Sequence, residues 1–300
     1  MARSQQRPDD AGANSRTLLP ALAVHPGHLL WRAAARVGVA LDETLPAGVD
    51  VHAYAALLAL SGGVSRSQQE LAEMISVSRT TMTRVAADLS GQGLVTRTRN
   101  PADRRSYALV RTAAGTATAR QWRRHVEDLE EEVTRSFTLE EREDFRDLLR
   151  RIQEGELAPH TPEPLLESIA FLVTRAHLRM HREFAQALEP IGMEPRFMGF
   201  LTALEAMGAV PQSALAQVLG VSGATIVQIA DDLERLGAIE RRRSDTDRRS
   251  QLLHVLPRAD ELVEIGRASS AAVLEGRLSR LTAAERKRFS EHLVRFVTSG

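Results

Sequence analysis

Apolar residues recur at three- and four-residue spacing over residues 24–44 and again over 165–188, which predicts a long amphipathic helix at each place. A second helix is expected at about 50–61 and 194–206. Ser67-Gln68-Gln69-Glu70 reads as a capping box, the serine oxygen serving exposed amides while the glutamate reaches back, and it opens a short helix near 68–75. The counterpart near 212–219 lacks the glutamate. Tight breaks follow at Ser76-Val77-Ser78 and Gly220-Val221-Ser222, and the last serine of each caps the next helix, 79–91 or 223–236. Gly93 and Gly237 suit the left-handed conformation that ends such helices. The pattern then alternates over 94–99 and 106–111 around Asn-Pro-Ala-Asp-Arg-Arg, which predicts a hairpin with a basic tip. Long helices at about 113–134 and 257–279 come next, and capping boxes at Thr138/Glu141 and Thr282/Glu285 open a last helix in each half.

The doubling of every element reflects a duplicated sequence. Residues 68–106 recur without a gap at 212–250, an offset of 144, and 15 of the 36 pairs from Leu71/Leu215 to Ser106/Ser250 are identical. The same register joins Pro46 to Pro190, Gly48 to Gly192, Leu60 to Leu204 and Phe145 to Phe289. A period of this length is a whole domain rather than a solenoid turn. The expected organisation is a mobile tail at 1–22, repeat 1 at 23–152, a proline-stiffened linker at 153–166 and repeat 2 at 167–300.

Composition narrows the function classes. Cysteine is absent, which excludes disulfides, thiolate metal sites and a thiol nucleophile. No apolar run approaches the length of a membrane span, and the first residues lack the apolar core of a signal peptide, so a cytoplasmic location is the expectation. Formal charge is zero, 39 basic against 39 acidic residues, but the charges are unevenly placed. Segment 96–111 holds Arg97, Arg99, Arg104, Arg105 and Arg111 against Asp103 alone, and 240–258 holds six arginines against Glu240, Asp245 and Asp247. Segment 127–144 is strongly acidic and reads as the solvated face of long helices. Basic hairpins beside a helix–turn–helix are the electrostatic footprint of a nucleic-acid reader.

Helix, three-residue turn, helix and hairpin make a winged helix-turn-helix. With its Asp-Arg-Arg wing, present twice, the chain resembles the MarR family of winged-helix transcription regulators over roughly 29–152 and 173–296. The resemblance implies a mainly α fold with small β-wings, two winged helix-turn-helix domains and interlocking long terminal helices. It also implies that a dimer's two protomers are fused here into one chain with pseudo-two-fold symmetry. The candidate recognition residues are Ser78, Arg79, Thr80, Thr81, Thr83 and Arg84, and in repeat 2 Ser222, Thr225 and Gln228 beside Gly223, Ala224 and Val227. Wing candidates are Arg97, Arg99, Asp103, Arg104 and Arg105, with Arg241, Arg243, Asp247, Arg248 and Arg249 as their copies. By the resemblance, Arg105 and Arg249 enter the minor groove and Asp103 and Asp247 orient an arginine; as residues alone, the aspartates also serve as turn formers.

Arginine reads guanine and glutamine reads adenine, so the copies cannot read one half-site equally. The expected operator is an imperfect palindrome with one better-defined half and half-site centres about one helical turn, ~34 Å, apart. The implied function is a sequence-specific double-stranded DNA-binding regulator, an effector-responsive repressor. The alternative is a ligand-binding or protein-interaction module whose DNA binding is weakened in repeat 2. The family often carries an effector pocket, for which His28, Trp31, Arg32, Trp122 and His125 are the candidates, with an aromatic small molecule as the effector. Both tryptophans equally serve as helix-packing residues. His177 and His181 lie one helical turn apart without a third ligand, so neither a metal nor a cofactor is expected, and nothing in the pattern points to an enzyme.

Overall fold

The computed structural model describes residues 18–99, 107–243 and 251–299. It opens with α1 (Pro20–Ala23) and α2 (Pro26–Thr44), followed by α3 (Val51–Ala59) and the short strand β1 (Ser65–Ser67). The helix-turn-helix is α4 (Gln68–Met74) and α5 (Arg79–Gly91), and the hairpin is β2 (Val95–Arg99) with β3 (Tyr107–Arg111). Then come α6 (Ala113–Thr134), α7 (Leu139–Arg151) and α8 (Glu163–Leu166). Repeat 2 follows as α9 (Ile169–Leu188), α10 (Pro195–Met207), β4 (Val210–Pro211), α11 (Gln212–Leu219) and α12 (Gly223–Arg235). It closes with β5 (Ile239–Arg243), β6 (Gln251–Val255), α13 (Pro257–Leu278) and α14 (Ala283–Thr298).

The capping chemistry read from the sequence sets these boundaries. Ser67 and Glu70, Thr138 and Glu141, and Thr282 and Glu285 all form reciprocal capping boxes. Asp50 caps α3 by accepting from the amides of His52 (2.8 Å) and Ala53 (3.0 Å). In each turn of the helix-turn-helix one residue takes a left-handed conformation: Gly220 at φ 68° and its counterpart Ser76 at φ 58°. Glycine has no Cβ to crowd the following carbonyl there, whereas serine bears that strain.

Each hairpin gains a third strand that the sequence pattern does not announce, giving antiparallel sheets in the order β1-β3-β2 and β4-β6-β5. Ser65, Arg66 and Ser67 pair with Val110, Leu109 and Ala108, and Val210 pairs with Leu253. The sheet fixes each wing to the start of its helix-turn-helix.

The structure divides into two compact units that differ from the sequence repeats. Among the described residues, those within 40–175 form one, the repeat 1 unit; the other, the repeat 2 unit, joins residues 18–39 to those within 176–299. Most of α2 thus belongs with repeat 2, and the start of α9 belongs with repeat 1. In the repeat 1 unit the core gathers Leu57, Leu71, Met82, Val85, Leu89 and Trp122. In the repeat 2 unit it gathers Phe197, Phe200, Leu215, Ile226, Ile229 and Leu233.

Two expectations about segments change. The end of the expected mobile tail is ordered, since Leu22 is 2% exposed in the repeat 2 core and Leu18 and Leu19 pack against it. The expected linker is also packed. Leu165 lies in the repeat 1 core, and buried Gln153 donates to the carbonyls of Leu149 (2.9 Å) and Leu172 (3.1 Å). Apolar residues on either side of the prolines, Ala158 and Leu165, pack into or against the repeat 1 core and outweigh the extended preference of the prolines themselves.

The acidic run also does more than face solvent. Glu130 on α6 accepts hydrogen bonds from Ser168 Oγ (2.8 Å) and from the amides of Ile169 (2.6 Å) and Ala170 (3.3 Å). It caps the start of α9 from another helix. Burial raises its pKa, and the three bonds oppose that rise.

Candidate nucleic-acid interface

On α5 the apolar stripe Met82, Val85, Ala86 and Leu89 is buried, which turns Arg79, Thr80, Thr83 and Arg84 outward. Ser78 and Thr81 have local duties: Ser78 Oγ accepts from the Thr81 amide at 3.0 Å and lies 2.9 Å from its hydroxyl. Thr83 donates its hydroxyl to the Arg79 carbonyl at 2.9 Å, so its methyl group is the part left for a partner. Arg84 is held between Asp88 (3.1 Å) and Asp50 (3.2 Å) and still exposes 53% of its side chain. Burial alone would raise the Asp50 pKa, but the Ala53 amide, His52 and Arg84 bring it below the usual carboxylate value. An ionised Asp50 thus fixes both the start of α3 and the direction of a guanidinium on the recognition helix. Asp50 is not among the candidates that the sequence pattern suggests; its place before an apolar helix is the signal that could have found it.

The copy in repeat 2 has the same backbone and different chemistry. Ile226, Ile229, Ala230 and Leu233 are buried, and Gly223, Ala224, Val227 and Gln228 face out. Ser222 Oγ accepts from the Thr225 amide at 3.1 Å, so this pair also forms a cap.

The wing arginines are not equivalent either. Arg97 and Arg99 are exposed on β2, and Arg97 has no ion pair among the described residues. Its counterpart Arg241 is only 16% exposed, bonded to Asp231 at 2.6 Å and to Glu234, both on α12. Repeat 1 has Ala87 and Ser90 at those two positions, so the clamp cannot form there. Arg242 pairs with Glu240, while Arg243 is exposed. Arg111, counted among the basic residues of the first wing, instead donates to the Leu57 carbonyl at 2.9 Å. The tip residues Asp103, Arg104, Arg105, Asp247, Arg248 and Arg249 lie outside the described residues.

The five candidate effector residues fall in different units. His28, Trp31 and Arg32 are on the part of α2 that joins the repeat 2 unit, whereas Trp122 and His125 are on α6 of the repeat 1 unit. The rings of His28 and Trp31 are 5.4 Å apart, and His28 Nε2 is buried without a hydrogen bond among the described residues. Burial first, then the charges of Arg32 and His25, lower the His28 pKa to about 3. Arg32 is buried and its pKa is lowered by desolvation. The rings of His177 and His181 lie 5.5 Å apart, tilted by 50°, and no group of three or more potential metal-binding side chains occurs among the described residues.

Two helix-turn-helix units, each followed by a hairpin that pairs with a short strand preceding the unit, define a tandem winged helix-turn-helix fold. Residues 47–106 and 191–250 both match the family model described as MarR family, so the same family match occurs twice in the chain, 144 residues apart. A transcriptional regulatory protein for the hcr operon of Thauera aromatica is 33% identical over 90 residues, 30% of this chain. The match spans 54%, about half, of that relative's length. Among solved structures, CouR from Rhodococcus jostii RHA1 bound to p-coumaroyl-CoA is 23% identical with a TM-score of 0.41, covering 45% of this chain and 96% of its own. CouR bound to a 23-mer DNA duplex is 28% identical with a TM-score of 0.38, covering 41% and 87%. No single helix among the described residues is long and apolar enough to cross a membrane.

Proposed function

We propose that the chain is a sequence-specific double-stranded DNA-binding repressor, acting as a single-chain pseudo-dimer and released by a small aromatic effector. The observation that carries the DNA reading is the outer face of α5. Arg79 and Arg84 project beside Thr80 and Thr83, on a helix followed by a wing whose Arg97 and Arg99 are exposed. Arginine on the first turns of a recognition helix supplies bidentate contacts to guanine, and the wing arginines neutralise phosphate. Because α12 presents no arginine in its outward N-terminal half, the operator is an imperfect palindrome, better defined on the α5 side. The wing tips, including Arg105 and Arg249, supply the minor-groove contacts in this reading.

The test is enrichment of genomic fragments by the purified full chain, followed by binding at graded salt. Specific fragments and an affinity that falls steeply with salt are expected, since neutralised phosphates release counterions. Absence of enrichment, or a salt-insensitive interaction, would contradict the reading. The alternative, a ligand or protein-interaction module with weakened DNA binding in repeat 2, draws support from the enclosure of Arg241 by Asp231 and Glu234. It requires that the α12 half of the operator contribute no sequence preference.

The effector reading rests on His28, Trp31 and Arg32, where an aromatic ring, a buried cation and an unsatisfied imidazole nitrogen lie on one helix. Effectors that release DNA should change Trp31 emission in a protein carrying Trp122→Phe. Emission unaffected by every such effector would remove this site.

A further inference from the structure

The chemistry left on the outer face of α12 identifies what that helix reads. Val227 is 43% exposed, whereas Ile226, Ile229 and Leu233 of the same helix are almost completely buried. Ala224 and Gly223 extend the same outward face toward the helix start, and Gln228 stands next to Val227. The charged groups of this helix are already engaged: Arg235 with Asp232, Asp232 with Arg196, and Asp231 and Glu234 with Arg241. What remains for a partner is therefore a methyl-rich surface and one primary amide.

Resting on the reading of the chain as a DNA-binding protein, we infer that α12 is a reader of A·T base pairs. In this assignment Val227 and Ala224 pack against thymine 5-methyl groups in the major groove, and Gln228 makes a bidentate contact to adenine. The thymine methyl is the apolar group that a major groove displays, and the adenine N6/N7 edge matches the donor and acceptor of a glutamine amide. Guanine requires a donor fork at its O6 and N7, which α12 does not present, whereas α5 presents Arg79 and Arg84. The two halves of the operator thus differ in base composition: one half centred on guanine contacts and the other on thymine and adenine. Glycine at 223, where repeat 1 has Arg79, and alanine at 224 let the helix start approach the base edges closely.

The experiment uses the full chain and a duplex carrying its selected operator. The half read by α5 is identified first, as the half whose base preference relaxes in Arg79→Ala. Thymines in the other half are then replaced by deoxyuridine, which deletes only the 5-methyl group. Each methyl that α12 covers should account for about a fourfold loss of affinity, the worth of one buried carbon. Val227→Ser should abolish the loss at the thymine that Val227 covers, and leave the loss at the Ala224 thymine and the effect of deoxyuridine in the α5 half as they were. Val227 is exposed, so the substitution leaves the core intact, and an unchanged thermal transition verifies this. Deoxyuridine without effect in the α12 half, or a full penalty retained in Val227→Ser, overturns the inference while leaving DNA binding in place. A chain that enriches no DNA at all overturns the reading beneath it.

Discussion

Acidification should destabilise the repeat 2 unit through one histidine, and the size of the effect follows from its surroundings. His28 is largely buried on α2, its Nε2 has no hydrogen bond among the described residues, and its pKa is lowered to about 3 from an ordinary 6.5. A depressed pKa means that the unfolded chain takes the proton first, so stability is complete above 6.5 and is lost progressively as pH falls toward 3. At about pH 5 the unfolded state binds this proton almost fully while the folded state does not, which costs about 2 kcal/mol relative to about pH 7. The matched control is His28→Leu, because the repeat counterpart Leu172 is fully buried at the equivalent place on α9. Urea unfolding can be followed at both pH values by Trp31 fluorescence in a Trp122→Phe background, since each unit holds one tryptophan. Other titrating groups affect both proteins alike, so the histidine protein should lose about 2 kcal/mol more than the leucine variant on acidification. Equal losses would refute the argument that His28 is held neutral by burial.

Ser76→Gly should stabilise the repeat 1 unit by up to about 1 kcal/mol in chemical denaturation, because glycine relieves the left-handed strain that Gly220 avoids in repeat 2. Gly115→Ala should destabilise the same unit by about 1–3 kcal/mol, measured the same way. A Cβ there would lie 2.1 Å from the Leu94 carbonyl oxygen, even though the repeat counterpart is the buried Ala259. Arg79→Ala with Arg84→Ala should weaken operator binding far more than Gln228→Ala in a titration at fixed salt, by about tenfold or more for each guanine left unread. Fusion of both winged domains in one chain removes assembly from the binding equilibrium, so DNA affinity should show no dissociation limb on dilution.

Most helix boundaries were legible because capping serines and threonines, apolar periodicity and terminal glycines all pointed to the same places. The turn at Ser76 was equally legible from its copy Gly220. The short outer strands escaped because Ser65-Arg66-Ser67 and Val210-Pro211 are too brief for alternation to register; their pairing is fixed by the hairpin beside them. The assignment of segments to units escaped for a related reason. An amphipathic helix such as α2 declares that it must bury a face, and not which of two similar cores will receive it.

In the candidate interface, the outward residues of α5 and α12 followed from helical periodicity alone. The different fates of Arg97 and Arg241 did not, because they depend on residues ten and seven positions upstream, Ala87 and Ser90 in one copy and Asp231 and Glu234 in the other. Asp50 was hidden likewise, since its bond to Arg84 joins residues 34 apart.

The central claim is that two winged domains of unequal chemistry read one DNA site from a single chain. Selection of binding sites from genomic fragments by the full-length protein tests it most directly. The account predicts an imperfect palindrome with a guanine-containing, better-defined half assigned to α5. Two equally strong, identical halves, or no enriched sequence, would contradict it.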